Sequence, residues 1–204
     1  MNKNILNKSI KYLSKNKELK ILIDKHPIPK FSKNDNDFDS LSKLIIYQQL
    51  SVKVAKIFYI RFLSLFENQY PEPEQYLKIG TSELKKIGLS KQKINYINNL
   101  AHFFMNNQNL SYFKNLSDKN IINQLITIKG IGQWTIDMFM MFNLFRTDIL
   151  PIGDLGIKKA FKKIYHLKEL PSEKFMKNKS KKWAPYRTIA CCYLWMLIDD
   201  GDVW

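Results

Sequence analysis

Leu125-Ile126-Thr127-Ile128-Lys129-Gly130-Ile131-Gly132-Gln133-Trp134-Thr135 lies between two stretches of helical periodicity, and its reading decides the fold. A Gly-Ile-Gly hairpin lets the backbone turn sharply. It also leaves the amides of the following helix N-terminus facing outward, where their partial positive charge suits a phosphate. With no side chain at Gly130 or Gly132, a nucleic-acid strand can come close. Taken alone, the same hairpin also fits an ordinary corner between two helices.

Outward from the hairpin, apolar residues recur at helical rather than alternating spacing. Phe38, Leu41, Leu44 and Ile45 form one face, and Val52, Ala55, Phe58, Phe62 and Phe66 form the next. This predicts an all-α protein, with helices over about 5–14, 17–25, 38–48, 51–66, 73–78, 82–86, 91–106, 118–127, 133–145, 155–165, 172–180 and 185–198. Ser90 and Ser172 suit N-caps, and Pro185 suits a first helical position. The polar, turn-rich stretch from Pro27 to Asp37 reads as a linker, so residues 1–37 are expected as a helical arm packing on a core of residues 38–204. Four of the seven glycines, Gly130, Gly132, Gly153 and Gly156, cluster beyond the middle of the chain.

The 204 residues carry 33 Lys plus Arg against 18 Asp plus Glu, a formal charge of +15. With 45% hydrophobic residues the chain has the apolar surface to fold, which excludes a disordered polycation. Such a charge favours nucleic acid, an anionic membrane surface or an acidic protein as partner. Because the only arginines are Arg61, Arg146 and Arg187, the excess is nearly all lysine, which also fits the codon bias of an A+T-rich genome. Cys191 and Cys192 are adjacent, a poor geometry for a disulfide, and imply a reducing compartment. The longest apolar run, Ile189 to Ile198, is too short to span a membrane, and the N-terminus leads into no apolar signal core. A bacterial cytosolic, nucleoid-associated protein is expected.

The hairpin does not stand alone. It resembles the helix-hairpin-helix motif of the DNA glycosylase superfamily that includes endonuclease III and 3-methyladenine DNA glycosylase II. The superfamily's Gly/Pro-rich loop ending in aspartate is matched by Leu150-Pro151-Ile152-Gly153-Asp154-Leu155-Gly156, with Asp154 at the family's spacing from Gly130. Two segments resemble the alkylation-repair branch: Ile45-Ile46-Tyr47-Gln48-Gln49-Leu50-Ser51-Val52-Lys53, and Trp183-Ala184-Pro185-Tyr186-Arg187 ahead of the last helix. These four segments, in order, cover roughly residues 38–198. The resemblance implies two helical subdomains with a cleft between them. It is to the short form of the 3-methyladenine enzymes, since about 37 residues before the core are too few for the β-rich N-terminal domain of longer members.

The resemblance makes Asp154 the candidate catalytic carboxylate. Hydrolysis of an N-glycosidic bond passes through an oxocarbenium-like sugar, whose charge a fixed carboxylate stabilises. Locally, Asp154 before Leu155-Gly156-Ile157 is also a good N-cap, and both roles can hold at once. Members that also cut the strand carry a lysine nucleophile two positions after the second hairpin glycine, where this chain has Trp134. The four-cysteine cluster of the endonuclease III type cannot be built from two adjacent cysteines. A monofunctional glycosylase with no lyase step and no iron–sulfur cluster is therefore expected, requiring no cofactor.

By the same resemblance Trp134, Tyr186, Tyr47 and Met138 line the base pocket, where aromatic faces attract cationic alkylpurines. Gln49 or Leu50 fills the gap left by the flipped nucleotide. Gly130, Gly132, Thr135 and Lys129 hold phosphate, and main-chain carbonyls of Ile126, Ile128 and Ile131 hold a structural Na+ or K+. Gln48 reads either as a solvated helix end or as an amide holding the turn, and Ala190 to Leu197 as buried core rather than part of a site. The expected partner is damaged double-stranded DNA, with no membrane and no small-molecule cofactor, and the expected state a monomer. Two other functions stay open: a glycosylase of this fold for deaminated purines or uracil, and a non-catalytic helix-hairpin-helix DNA-binding protein.

Overall fold

A computed structural model describes residues 1–106 and 113–198. The described residues form α-helices and short 3-10 turns, with no strand. The helices are α1 (Lys3–Leu13), α2 (Lys17–Lys25), α3 (Asp37–Tyr47), α4 (Val52–Leu63), α5 (Pro73–Lys78), α6 (Thr81–Lys86), α7 (Lys91–Asn106), α8 (Asp118–Leu125), α9 (Gln133–Phe142), α10 (Leu155–Ile164), α11 (Glu173–Ser180) and α12 (Arg187–Met196). Every expected helix is present, so apolar periodicity was a sufficient signal for the all-α class. None is long and apolar enough to cross a membrane.

The chain divides into two compact units, one of residues 1–33 and 140–204, the other of residues 34–139. The N-terminal helices therefore share a unit with the C-terminal ones. In that first unit, α12 packs with α10, α2 and α1, and its residues Thr188 to Met196 are all buried. Trp183 has no exposed surface and lies against Phe161, their ring centroids 5.1 Å apart. The caps follow local chemistry. Asn2, Asn16, Asp154 and Ser172 each accept a hydrogen bond from an amide in the first turn of their helix, which meets one of the donors a helix start leaves unpaired.

In the second unit, α7 packs against α3 and α5, and α3 against α4. Phe38 is fully buried, with its ring edge-on to Tyr76 and Phe104 at 6.0 and 5.9 Å. Tyr76 keeps its buried hydroxyl satisfied by donating to the Ile94 carbonyl at 3.1 Å. Ser90 caps α7 as expected, its hydroxyl accepting from the Lys93 amide at 3.3 Å.

Two local expectations fail. Val52 stays 40% exposed although it shares the predicted apolar face with Ala55, Phe62 and Phe66, which are buried, Phe66 just beyond the end of α4. Pro185 is not the first helical residue: it follows a cis Ala184–Pro185 bond in the turn before α12, which starts at Arg187. The first amides of α12 are instead engaged by the loop ahead of the aspartate, with Thr188 N–H donating to the Thr147 carbonyl at 2.9 Å and Arg187 N–H to Asp148 at 3.4 Å.

On α9, Asp137 is only 6% exposed, and its Oδ1 accepts from the Gln133 side-chain amide at 2.8 Å. Burial raises its pKa to about 6, against the lowering effect of that hydrogen bond. The folded protein thus holds this proton more tightly than the unfolded chain, so stability contributed here is greatest below the unfolded value and is lost as pH rises through about 6. Asp137→Asn should stabilise the protein by about 1–3 kcal/mol at neutral pH and by much less under mildly acidic conditions, as read from denaturant midpoints. An equal effect at both pH values would contradict the assignment.

Candidate active site and nucleic-acid interface

Asp154 stands at the start of α10 with 7% of its surface exposed. Its Oδ1 accepts two hydrogen bonds, one from the Ile157 amide at 2.8 Å and one from the indole Nε1 of Trp195 at 2.9 Å. The N-cap reading is therefore correct, and the cap fixes the carboxylate in place. Both donors converge on one oxygen and so hold the carboxylate in one orientation.

Two residues maintain this arrangement that sequence reading passed over. Trp195 is 2% exposed and was expected to be plain core of α12, yet its N–H reaches Asp154. The available signal was that a buried indole N–H needs an acceptor. Gly156 provides the clearance. A Cβ there would stand 3.0 Å from Trp195 Cδ1 and 3.1 Å from Asp154 Oδ1, so a side chain would press on the hydrogen-bonded pair itself.

The loop leading to Asp154 is held by the first residues of α12. Arg187 makes a two-pronged ion pair with Asp148, Nε to Oδ1 at 2.7 Å and Nη2 to Oδ2 at 2.8 Å. That pairing pushes the guanidinium pKa upward. Thr188 Oγ1 donates to the Arg146 carbonyl at 2.6 Å and accepts from Ile149 N–H at 3.1 Å. The Trp-x-Pro-aromatic-Arg segment is thus a brace for the aspartate loop. Its Tyr186 is half-buried and meets Tyr12 of α1 edge-on, with centroids 5.4 Å apart. Cys191 and Cys192 are buried free thiols, and burial pushes Cys192 up to about 12.

The hairpin and the Gln-Gln turn lie together in the other unit. Gly130 has φ +110°, and a Cβ there would run into the Tyr96 ring, so the fold demands glycine. Gly132 differs: it is exposed, and among the described residues nothing lies within 4 Å of a Cβ built on it. Its missing side chain leaves room beside the first turn of α9, whose leading amides have no intrahelical acceptor. Lys129 is exposed. Thr135, expected at the phosphate, is 2% exposed, and its hydroxyl accepts from Gln48 Nε2 at 3.1 Å. Its side chain therefore belongs to the scaffold, because the same Gln48 amide also donates to the Gly130 carbonyl at 3.1 Å. Gln48 is the residue that holds the turn.

That anchor leaves Gln49 outermost. Gln49 is exposed with φ +59°, a left-handed conformation that side chains adopt at some cost, while Leu50 is half-buried. Tyr47 is 7% exposed and meets Tyr59 edge-on, with Lys43 Nζ 5.5 Å from its ring centre. Trp134 is half-buried, and Met138 has no exposed surface, like the core residues around it. The Ile128 carbonyl accepts from Ile131 N–H at 3.0 Å, which uses one of its two lone pairs.

Residues 42–185 match the family described as HhH-GPD superfamily base excision DNA repair protein. A putative DNA-3-methyladenine glycosylase of Bacillus subtilis is 31% identical over 169 residues, which are 79% of this chain and 59% of that relative's length. DNA-3-methyladenine glycosylase 1 of Schizosaccharomyces pombe is 31% identical over 161 residues, 78% of this chain and 71% of the relative. The solved structure of the S. pombe 3-methyladenine DNA glycosylase Mag1 in complex with abasic DNA superimposes with a TM-score of 0.85, covering 93% of this chain and 95% of that one at 29% identity. By its matched core, its helical fold and its aspartate and hairpin loops, the chain belongs to the HhH-GPD superfamily of base excision DNA repair proteins.

Proposed function

We propose that the chain is a monofunctional DNA glycosylase that releases alkylated purines, of the 3-methyladenine and 7-methylguanine type, from duplex DNA and leaves an abasic site. The observation that carries this reading is the Asp154 carboxylate, fixed by the Ile157 amide and the Trp195 indole. Named relatives that are 3-methyladenine glycosylases support the substrate class, and Mag1, solved on abasic DNA, supports the partner.

The chemistry follows from those groups. The amides of Gly132 and Gln133 at the exposed start of α9, with Lys129, hold a phosphate beside the lesion. Gln49, exposed in its left-handed tip, fills the stack as the damaged nucleotide leaves it. Tyr47 and Trp134 in one unit, and Tyr186 in the other, are the aromatic rings that would attract a cationic base, while the fully buried Met138 belongs to the core. The glycosidic C–N bond then breaks, and its electron pair leaves with the base, neutralising a purine already positively charged by alkylation. No general acid is required. Asp154 stabilises the oxocarbenium-like sugar, orients the water that adds to the anomeric carbon, and accepts its proton. In this reading the carbonyls of Ile126, Ile128 and Ile131 would hold a monovalent cation, Ile128 through the lone pair that the Ile131 N–H leaves, and the ion would add positive charge at the phosphate. With Trp134 where a lyase carries lysine, no Schiff base forms.

Three outcomes are expected. Asp154→Asn should lower release of 3-methyladenine and 7-methylguanine from methylated DNA by about 100-fold or more while keeping duplex binding. Full activity in that variant would refute the mechanism, and a wild type that releases neither base would refute the substrate class. Borohydride added during turnover should trap no covalent protein–DNA adduct; efficient trapping would overturn the monofunctional reading. Trp195→Phe should slow single-turnover release about tenfold, the effect of losing one charge-assisted hydrogen bond, with affinity for abasic-analogue DNA unchanged. Weaker binding with a normal rate at saturation would show that Trp195 acts only in folding.

A further inference from the structure

Beside the hairpin, α7 borders an open groove of about 690 Å³ that the glycosylase reading leaves without a role. Its lining includes Lys91, Gln92, Asn95, Asn99 and His102 of α7, and Lys129 of the hairpin. The groove lies within the second compact unit. Asn99 Nδ2 donates to the Lys129 carbonyl at 3.1 Å, the Tyr96 ring lies under Gly130, and Lys93 Nζ donates to the Ile46 carbonyl at 2.6 Å. One helix thereby holds both the hairpin and the turn that carries Gln49.

Charge and chemistry identify the ligand. Across its sixteen residues α7 has no Asp or Glu, and the groups on this face are ammonium, amide, imidazole and the Tyr96 phenol, which accepts from Gln92. Such a wall presents donors and positive charge to whatever enters. Four amide side chains and two lysines make it unsuited to an apolar segment, and no carboxylate lines it to hold a cation. From Lys91 to His102 the helix advances about 16 Å, long enough to follow a nucleic-acid strand past more than one phosphate. Lys129 joins it directly to the hairpin.

We infer that the groove between α7 and Lys129 is a second backbone-binding site, which takes phosphodiester groups of the same duplex beyond those held by the hairpin. This rests on the DNA-binding part of the proposed function. It gives part of the net positive charge a defined place: a stripe that extends the footprint without reading sequence.

The test replaces three exposed side chains, Lys91→Ala, Asn95→Ala and His102→Ala together, none of which is in the proposed catalytic or wedge machinery. The probe is a duplex carrying a stable abasic-site analogue. The variant should bind about tenfold more weakly near physiological salt, and the slope of log affinity against log salt should be shallower by about one. Its single-turnover release rate at saturating enzyme should match wild type. On a duplex trimmed short of α7 the two proteins should bind equally. Equal affinity and equal salt slope on the long duplex would overturn the inference, as would a wild type that does not bind duplex. The readout is affinity, so it is decided whether or not the wild type releases base; failure of release alone sinks the substrate reading and not this one.

Discussion

A carboxylate can stabilise a sugar cation only if it is charged, desolvated and fixed, and those demands conflict. Removing Asp154 from water, to 7% exposure, strengthens its field but makes the charge costly to keep. Two N–H donors on one oxygen, one from the first turn of α10 and one from an indole on α12, hold the carboxylate in place. Much else in this unit follows from that need. Gly156 must lack a side chain so that Trp195 can reach Asp154, and α12 must be buried along its length so that the indole does not move. The Asp148–Arg187 pair and Thr188 set the loop before the aspartate in register with the same helix. Replacing Arg187 with lysine would keep the charge and lose the two-pronged geometry.

The other unit applies the same economy to a surface. Gln48 ties the turn after α3 to the hairpin through Gly130 and Thr135, and α7 ties both from beneath through Lys93, Tyr96 and Asn99. Buried or half-buried side chains carry the scaffold, which leaves Gln49, Lys129 and Gly132 outward. Polar residues that sequence alone would assign to a ligand are divided by this packing. Thr135 and Gln48 serve the fold, whereas Gln49, Lys129 and Gly132 face solvent.

Apolar spacing made the helices legible, because burial of one face per helix is what α-helical packing selects. It failed where a backbone amide found a partner outside its helix, as at the start of α12, since sequence does not display the loop at 146–149 that takes those bonds. Asp154 was legible as a cap, and the Ile157 amide bonds it as one. Trp195 was not. Its role depends on a contact across 41 positions, and no local pattern distinguishes a buried indole that packs from one that donates. Gly130 and Gly132 look alike in sequence, yet one is required by the Tyr96 ring, while among the described residues nothing stands within 4 Å of a Cβ at the other.

The central claim is that Asp154 favours positive charge on the sugar. The most direct measurement compares binding of two abasic-site analogues in otherwise identical duplexes, one with a protonated pyrrolidine ring in place of the sugar and one with a neutral tetrahydrofuran. Wild type should prefer the cationic analogue by about tenfold or more, and Asp154→Asn should lose that preference while binding the neutral analogue as before. Equal binding of the two analogues by wild type, or the same preference in the variant, would contradict the role assigned to this carboxylate.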